Sequence, residues 1–487
     1  MMQSLLDAGV QKLMESAPKI VQDIMGGGAA TKQPKVKRAK DATAGAAATG
    51  SSSSSAEEVV DPESVNKPKK RVKKAMDASE VVAGAAVNAK SRSSKPSVVA
   101  AAAAHSADEC TKINHHAFAR VIDPHPDSGA LKFTLENADV STANALRRII
   151  LSEIPTLVFR TDVRPDATNQ TTFHVNTTRH HNEILKQRLR CIPIGSPGKD
   201  VDISKYYCEI RKKNTTESTI YVTTGYDDFK VVERESKKVN EELTKLMFKP
   251  DPLSNHYIDF ARLLPKVADY TEGEELHVTA EFDMGIAEQD SAFNVCCTCA
   301  YGCTPDIEKQ KQVWDELPEA SDVKKDGEKN WRLLSARRIV KDRSFDFVIE
   351  TVSASVHTNG ALLRKACDIM KIKCETFISS IEDEVANIVA ADVTMPYAFN
   401  IILRREGYTL GKAVEHMIYT KHYTGDMKLT FCAFKKAHPH DIDSYIQVAL
   451  QDDTPDKVAV IASMVICAAK DIIAIFENIK TQFANEP

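Results

Sequence analysis

The sequence lacks a dominant charge, a membrane-length apolar run and the short signatures of common enzymes. Its formal net charge is −4 over 487 residues, so it has no overall affinity for polyanions. Its longest apolar run, "VAVIASMVICAA", ends at Lys470 and Asp471. Such a run is too short to cross a bilayer and predicts a buried helix segment, with no membrane as partner. No P-loop, nucleophile elbow or dinucleotide fingerprint occurs. No secretory leader pattern opens the chain, and its eleven cysteines are scattered and odd in number. Free thiols in a reducing intracellular compartment are expected.

The charge that is present is unevenly spread. Residues 26–104 carry about +7, set against an acidic remainder. This stretch is rich in Ala, Ser, Gly and Lys and has little to bury, so a disordered arm is expected over 26–110. Its runs "KQPKVKRAK" and "KPKKRVKK" suit nuclear import or phosphate contact, or simply a solvated tail. The first 25 residues have helical spacing at Leu5, Val10, Leu13 and Met14, broken by Pro18. They form a short helix at most.

Ordered sequence starts near Thr111. "LKFTLEN" alternates Leu131, Phe133 and Leu135 with polar residues, the pattern of a half-buried strand. A helix capped by Asp139 or Ser141 follows, with Ala143, Leu146, Ile150 and Ile154 on one face. "TLVFRTDVRP" predicts a strand and "NEILKQRLRC" a short helix. The region 195–263 holds short strands and predicts an inserted β-rich module. "ELHVTAEFDMG" and "FNVCCTCAY" predict strands that return to the first sheet. A charged excursion and the strand "SFDFVIETV" come next. A long helix then carries Leu363, Ala366, Met370 and Phe377 on one apolar face. After another strand, a helix is predicted from Thr409, then two strands. A final helix is expected to be capped by Thr454, with Pro455 at its first position and an apolar seam through Ile461, Val465 and Ile472.

The chain repeats itself. A shift of 268 positions carries Phe133 onto Ile401, Leu135 onto Leu403 and Ser141 onto Thr409. It also carries Ala143 onto Gly411, Ala145 onto Ala413, Leu146 onto Val414 and Ile150 onto Ile418. Strand face, helix start, small residues and apolar stripe all coincide. Two such units in one chain imply a pseudo-twofold pair whose helices bury their apolar faces on each other.

The motifs carry a resemblance. "FTLENADVSTANALRRIILSEIPTLVF" and "HVNTTRHHNEILKQRLRCIPI" resemble the third-largest subunit of eukaryotic RNA polymerase II, the archaeal D subunit and the bacterial alpha subunit. "LRREGYTLGKAVEHMI" and "FCAFKKAHPHDIDSYIQVAL" resemble the small archaeal L-type partner. Both partners are thus expected in one polypeptide, as in fusions of large DNA viruses. The sequence departs from the usual motifs at Asn182, Arg190, Gly407, Tyr408 and Lys412.

The resemblance implies an α+β fold of two RNA polymerase alpha-like dimerisation units, with an inserted β-rich domain and a disordered N-terminal arm. The first unit spans 111–194 and 264–390, the insertion 195–263 and the second unit 391–487. The dimerisation interface is expected to use Ala143, Leu146, Ile150, Leu363, Met370 and Phe377 of the first unit. Ala413, Val414, Ile418, Ile461, Val465 and Ile472 are expected from the second. The implied role is non-catalytic: a platform for the two largest polymerase subunits and others, reaching DNA only through the complex, at the site of transcription in a nucleus, viral factory or virion. A rival reading is a stand-alone nucleic-acid-binding factor acting through the basic arm.

Arg147 and Arg148 read either as solvated surface charges or, with Glu183 and Arg188, as docking groups for the large subunits. No cofactor is expected. Cys296, Cys297, Cys299 and Cys303 form a weak zinc candidate without a second cysteine pair. His174, His180 and His181 read as polar loop residues rather than metal ligands. Asp441 and Asp443 resemble the spaced aspartates of metal-dependent transferases, but the polymerase catalytic triad is missing.

Overall fold

The computed structural model describes residues 117–123, 129–161, 169–198, 201–266, 272–319, 321–383 and 387–484. The expectations for 1–25 and for the arm over 26–110 lie outside the described residues. In chain order the frame begins with β1 (Phe118–Asp123), β2 (Leu131–Glu136) and α1 (Val140–Ser152). β3 (Thr156–Phe159), β4 (Thr171–Asn176), α2 (Asn182–Arg190), β5 (Tyr206–Lys213), β6 (Ile220–Thr223) and β7 (Phe229–Glu233) follow. Next are α3 (Glu241–Met247), β8 (Asp259–Leu263), β9 (Glu275–Gly285) and β10 (Cys296–Pro305). The excursion is α4 (Ile307–Glu316), α5 (Asp322–Lys325) and α6 (Glu328–Leu333). β11 (Val340–Thr351) and α7 (Asn359–Asp383) complete the first half. The second half is β12 (Ile388–Ala390), β13 (Ala398–Leu403), α8 (Tyr408–Ile418), β14 (Leu429–Lys435), β15 (Ser444–Leu450) and α9 (Lys457–Gln482).

Alternation makes β2 a strand with one dry face: Phe133 and Leu135 are fully buried, and Phe133 stacks on its cross-strand partner Phe347 at 5.0 Å. Asp139 caps α1, its carboxylate accepting the Ser141 amide at 2.7 Å. The apolar stripe of α1 then faces inward. The first sheet runs β1–β2–β11–β10 and the second β12–β13–β15–β14, every neighbour antiparallel. Strand for strand the two orders correspond, and each unit places a shorter helix after its second strand and a long helix at its end. The sequence shift of 268 carries Val140, the first residue of α1, onto Tyr408, the first residue of α8.

The insertion is wider than 195–263. β3 and β4 both pair with β9, and β9 pairs with β5, which pairs with β7. Phe159, Leu185 and Leu189 share a second core with Ile210, Phe229 and Val278. β3, β4, α2 and β9 therefore belong to the insertion, which runs from Thr156 to Gly285. Sequence spacing missed this because strand pairing across more than a hundred residues leaves no local trace.

α9 also departs from expectation. It starts at Lys457, after Asp456 in a left-handed conformation (φ 55°), so Thr454 and Pro455 precede the helix instead of capping it. At 26 residues α9 is long and apolar enough by composition to cross a membrane, yet its stripe through Ile461, Val465 and Ile472 is buried in the core shared with α7.

Candidate assembly interface

One hydrophobic core joins the halves. It contains Ala143, Leu146, Ile150, Leu363, Met370 and Phe377 from the first half. Ala413, Val414, Ile418, Ile461, Val465 and Ile472 enter it from the second. α1 packs on α8, and α7 packs on α9. The second pair is antiparallel: Arg364 donates to Phe483 O at 2.7 Å, Asp368 pairs with Lys480, and Lys371 pairs with Glu477 at 2.7 Å.

The α1–α8 contact is reciprocal. Arg148 near the end of α1 donates from Nε to Thr409 Oγ1, 2.9 Å away at the start of α8. His416, the residue 268 positions after Arg148, lies near the end of α8, with Nε2 3.5 Å from Asp139 Oδ1 at the start of α1. Each helix therefore reaches from its last turns to the other's first turn, the pattern of an isologous contact. The Thr409 hydroxyl is buried at the joint and receives a charged donor, a stronger hydrogen bond than one between neutral groups.

An ionic cluster sits beside this core. Lys373 Nζ of α7 lies 2.9 Å from Glu153 at the end of α1 and 2.9 Å from Glu406 just before α8. Burial alone would lower Lys373, but Glu406 and Glu153 outweigh it and hold the lysine above its usual range. Burial likewise raises the Glu406 carboxyl, against the pull of Lys373. The cluster ties three elements from both halves into one register, since removing Lys373 would leave two carboxylates buried and unmatched. Sequence reading missed it. Its one local signal was a lysine beside the apolar stripe of α7, next to Cys374.

The docking candidates divide. Arg148 is engaged between the halves through its Nε. Arg188 donates from Nε to Phe260 O at 2.8 Å and from Nη2 to Asp259 O at 2.7 Å, so it fastens α2 to β8 inside the insertion. Both look like surface charges in sequence because their partners are distant along the chain. Arg147 is held by Asn144 Oδ1 of its own helix, at 3.1 Å from Nε and 2.9 Å from Nη2, and stays half-buried. Glu183 is exposed in the first turn of α2.

Among the described residues no group of three or more His, Cys, Asp or Glu is placed to hold a metal ion. Cys296 and Cys299 are buried while Cys297 and Cys303 are exposed, so the four thiols do not converge. The His174 ring lies tilted against His277 with centroids 4.6 Å apart, and no metal-holding cluster joins it to His180 and His181 among the described residues. Asp441 accepts the His438 amide at 2.9 Å and Asp443 the Arg405 amide at 2.8 Å. Both carboxylates brace loops.

Two sheets with matching order are thus joined through paired helices. Residues 132–374 match the family model of the RNA polymerase Rpb3/Rpb11 dimerisation domain, and the chain carries a domain of that family. A conjugation stage-specific protein of Tetrahymena thermophila is 25% identical over 36% of this chain and 56% of its own length. The DNA-directed RNA polymerases IV and V subunit 3B of Arabidopsis thaliana is 23% identical over 39% of this chain and 59% of its own. The human DNA-directed RNA polymerases I and III subunit RPAC1 is 24% identical over 41% of this chain and 58% of its own. The chain thus spans a little over half the length of these relatives. Its likeness is to polymerase assembly subunits, which are non-catalytic.

Proposed function

We propose that this chain is a non-catalytic assembly subunit of a multisubunit DNA-directed RNA polymerase. Its halves act as a fused pair: 111–390 in the place of the third-largest subunit and 391–487 in that of the small L-type partner, related by a pseudo-twofold axis. The pair presents a platform to the two largest subunits at the site of transcription. The reciprocal reach of Arg148 to Thr409 and of His416 to Asp139 carries this reading, because it gives one chain the self-complementary interface of a dimer. Fusion makes the pairing intramolecular and independent of concentration.

The test is affinity purification of the tagged full chain from its native cell, followed by mass spectrometry. The two largest polymerase subunits are expected with the wild type. They are expected to be lost with Leu146→Asp plus Ile150→Asp, which buries two unpaired charges at positions that are 0% exposed. A wild-type chain recovered without polymerase subunits overturns the proposal. The rival reading, nucleic-acid binding through the basic arm, falls on residues outside the described ones.

A further inference from the structure

The assembly role leaves one sequence motif unused, the cysteines of β10. In a regular strand, residues 296 and 299 face opposite sides of the sheet. A β-bulge between Cys296 and Thr298 changes that, setting Cys296 opposite Thr351 and Cys299 opposite Ile349. Those partners lie two residues apart on β11, so the two cysteines share one face. That face is the dry one, with Cys296 at 0% and Cys299 at 6% exposure. Two strand steps cover about 6.8 Å, the upper end of the Cα separation a disulfide bridges, and a bulge bends the strand to shorten it.

The two thiols already interact. The Cys296 thiol donates to Thr298 O at 3.1 Å and to Glu350 O at 3.3 Å, and its neighbour Cys299 lowers the pKa of Cys296 while its own is raised. These directions favour ionisation at Cys296 over Cys299. The Arg147 guanidinium adds positive charge beside Cys299 and is fixed there by Asn144. Access comes from the position of β10. It is an edge strand, paired only with β11, and peroxide would reach the two thiols when that edge opens locally.

We propose that Cys296 and Cys299 form a reversible dithiol–disulfide pair oxidised by hydroperoxides. The Cys296 thiolate attacks a peroxide oxygen, the O–O bond breaks, and a sulfenic acid remains while water or an alcohol leaves. The Cys299 sulfur attacks the Cys296 sulfur, and the S–O bond breaks. The departing hydroxide takes the Cys299 proton and leaves as water. With hydrogen peroxide, two thiols and one peroxide give one disulfide and two waters. The sulfurs are oxidised and the peroxide oxygens reduced. A dithiol restores both thiols by exchange.

The experiment uses the full chain with Cys297→Ser and Cys303→Ser, two exposed positions whose replacement leaves the core intact. The folded protein is treated with hydrogen peroxide, unfolded in iodoacetamide, digested and weighed. The β10 peptide is expected to lose two hydrogens and take up no alkyl group. After dithiothreitol it is expected to take up two. Adding Cys299→Ser should abolish the disulfide and send Cys296 on to the sulfinic acid. A β10 peptide still doubly alkylated after peroxide overturns the proposal. So does a wild-type chain whose disulfide joins Cys297 to Cys303 instead.

Discussion

Arg148 and His416 hold equivalent places on two helices, and their difference is chemical rather than positional. One reaches a hydroxyl and the other a carboxylate, each at the start of the opposite helix. Neither partner could be read from local spacing, because Arg148 and Thr409 are 261 residues apart. The sequence put Arg148 on a polar flank, which is correct, but a polar flank can face another half of the same chain as well as solvent. His357 makes the same point about burial. Its Nε2 lies 3.3 Å from Thr156 Oγ1, and burial, helped by the Lys365 charge, lowers its pKa to about 4. An unfolded histidine titrates near 6.5, so the folded state binds fewer protons between these values. The stability held by a neutral His357 is full above about pH 6.5 and falls as pH drops toward 4, by about 3 kcal/mol in all. Urea unfolding at pH 7 and pH 5 should show the loss, and His357→Asn should flatten that part of the slope. An unchanged slope in the variant would show that other groups cause it.

Elements with strong period were legible, and those fixed by distant pairing were not. β2, α1, α7 and α8 stand where alternation or three-to-four spacing placed them, because each has one buried face that its own residues announce, whereas β9 is the expected strand but in the insertion sheet instead of the first. The start of α9 was misplaced because Asp456 takes a left-handed turn that composition does not reveal. β3 and β4 were assigned to the first unit because only their pairing with β9 shows where they belong. The small residue shared by the repeats has a physical reason in the second copy. A Cβ on Gly411 of α8 would come 2.1 Å from the Phe434 ring of β14. Gly411→Ala should therefore destabilise the chain by about 1–3 kcal/mol, although alanine is the better helix former. The urea midpoint reads this directly, and a rise in stability would mean that the ring moves aside freely.

At the scale of the whole molecule, the two halves share one core while the insertion keeps its own. The repeat made the paired units legible, and the long helices made their seam legible. The size of the insertion was not, for the reason given by β3 and β4. The insertion leaves and rejoins the frame through one strand pair, with Thr156 directly opposite Gly285. Paired residues in an antiparallel ladder sit about 5 Å apart, a gap that a short turn can close. Replacing 156–285 by a few Gly and Ser residues should leave a chain that still unfolds cooperatively by circular dichroism. Its stability should be lower by what the contacts across the neck contribute, among them Thr156–His357 and the Arg190–Asp290 ion pair at 2.8 Å. A molten or aggregated product would show that the frame needs the insertion to fold.

That two-strand neck has a consequence for change over time. Whatever is added to or trimmed from the insertion, the frame has the same small gap to bridge. The neck is thus a size-neutral graft point, where this chain can gain or lose whole layers while the join between its halves stays untouched.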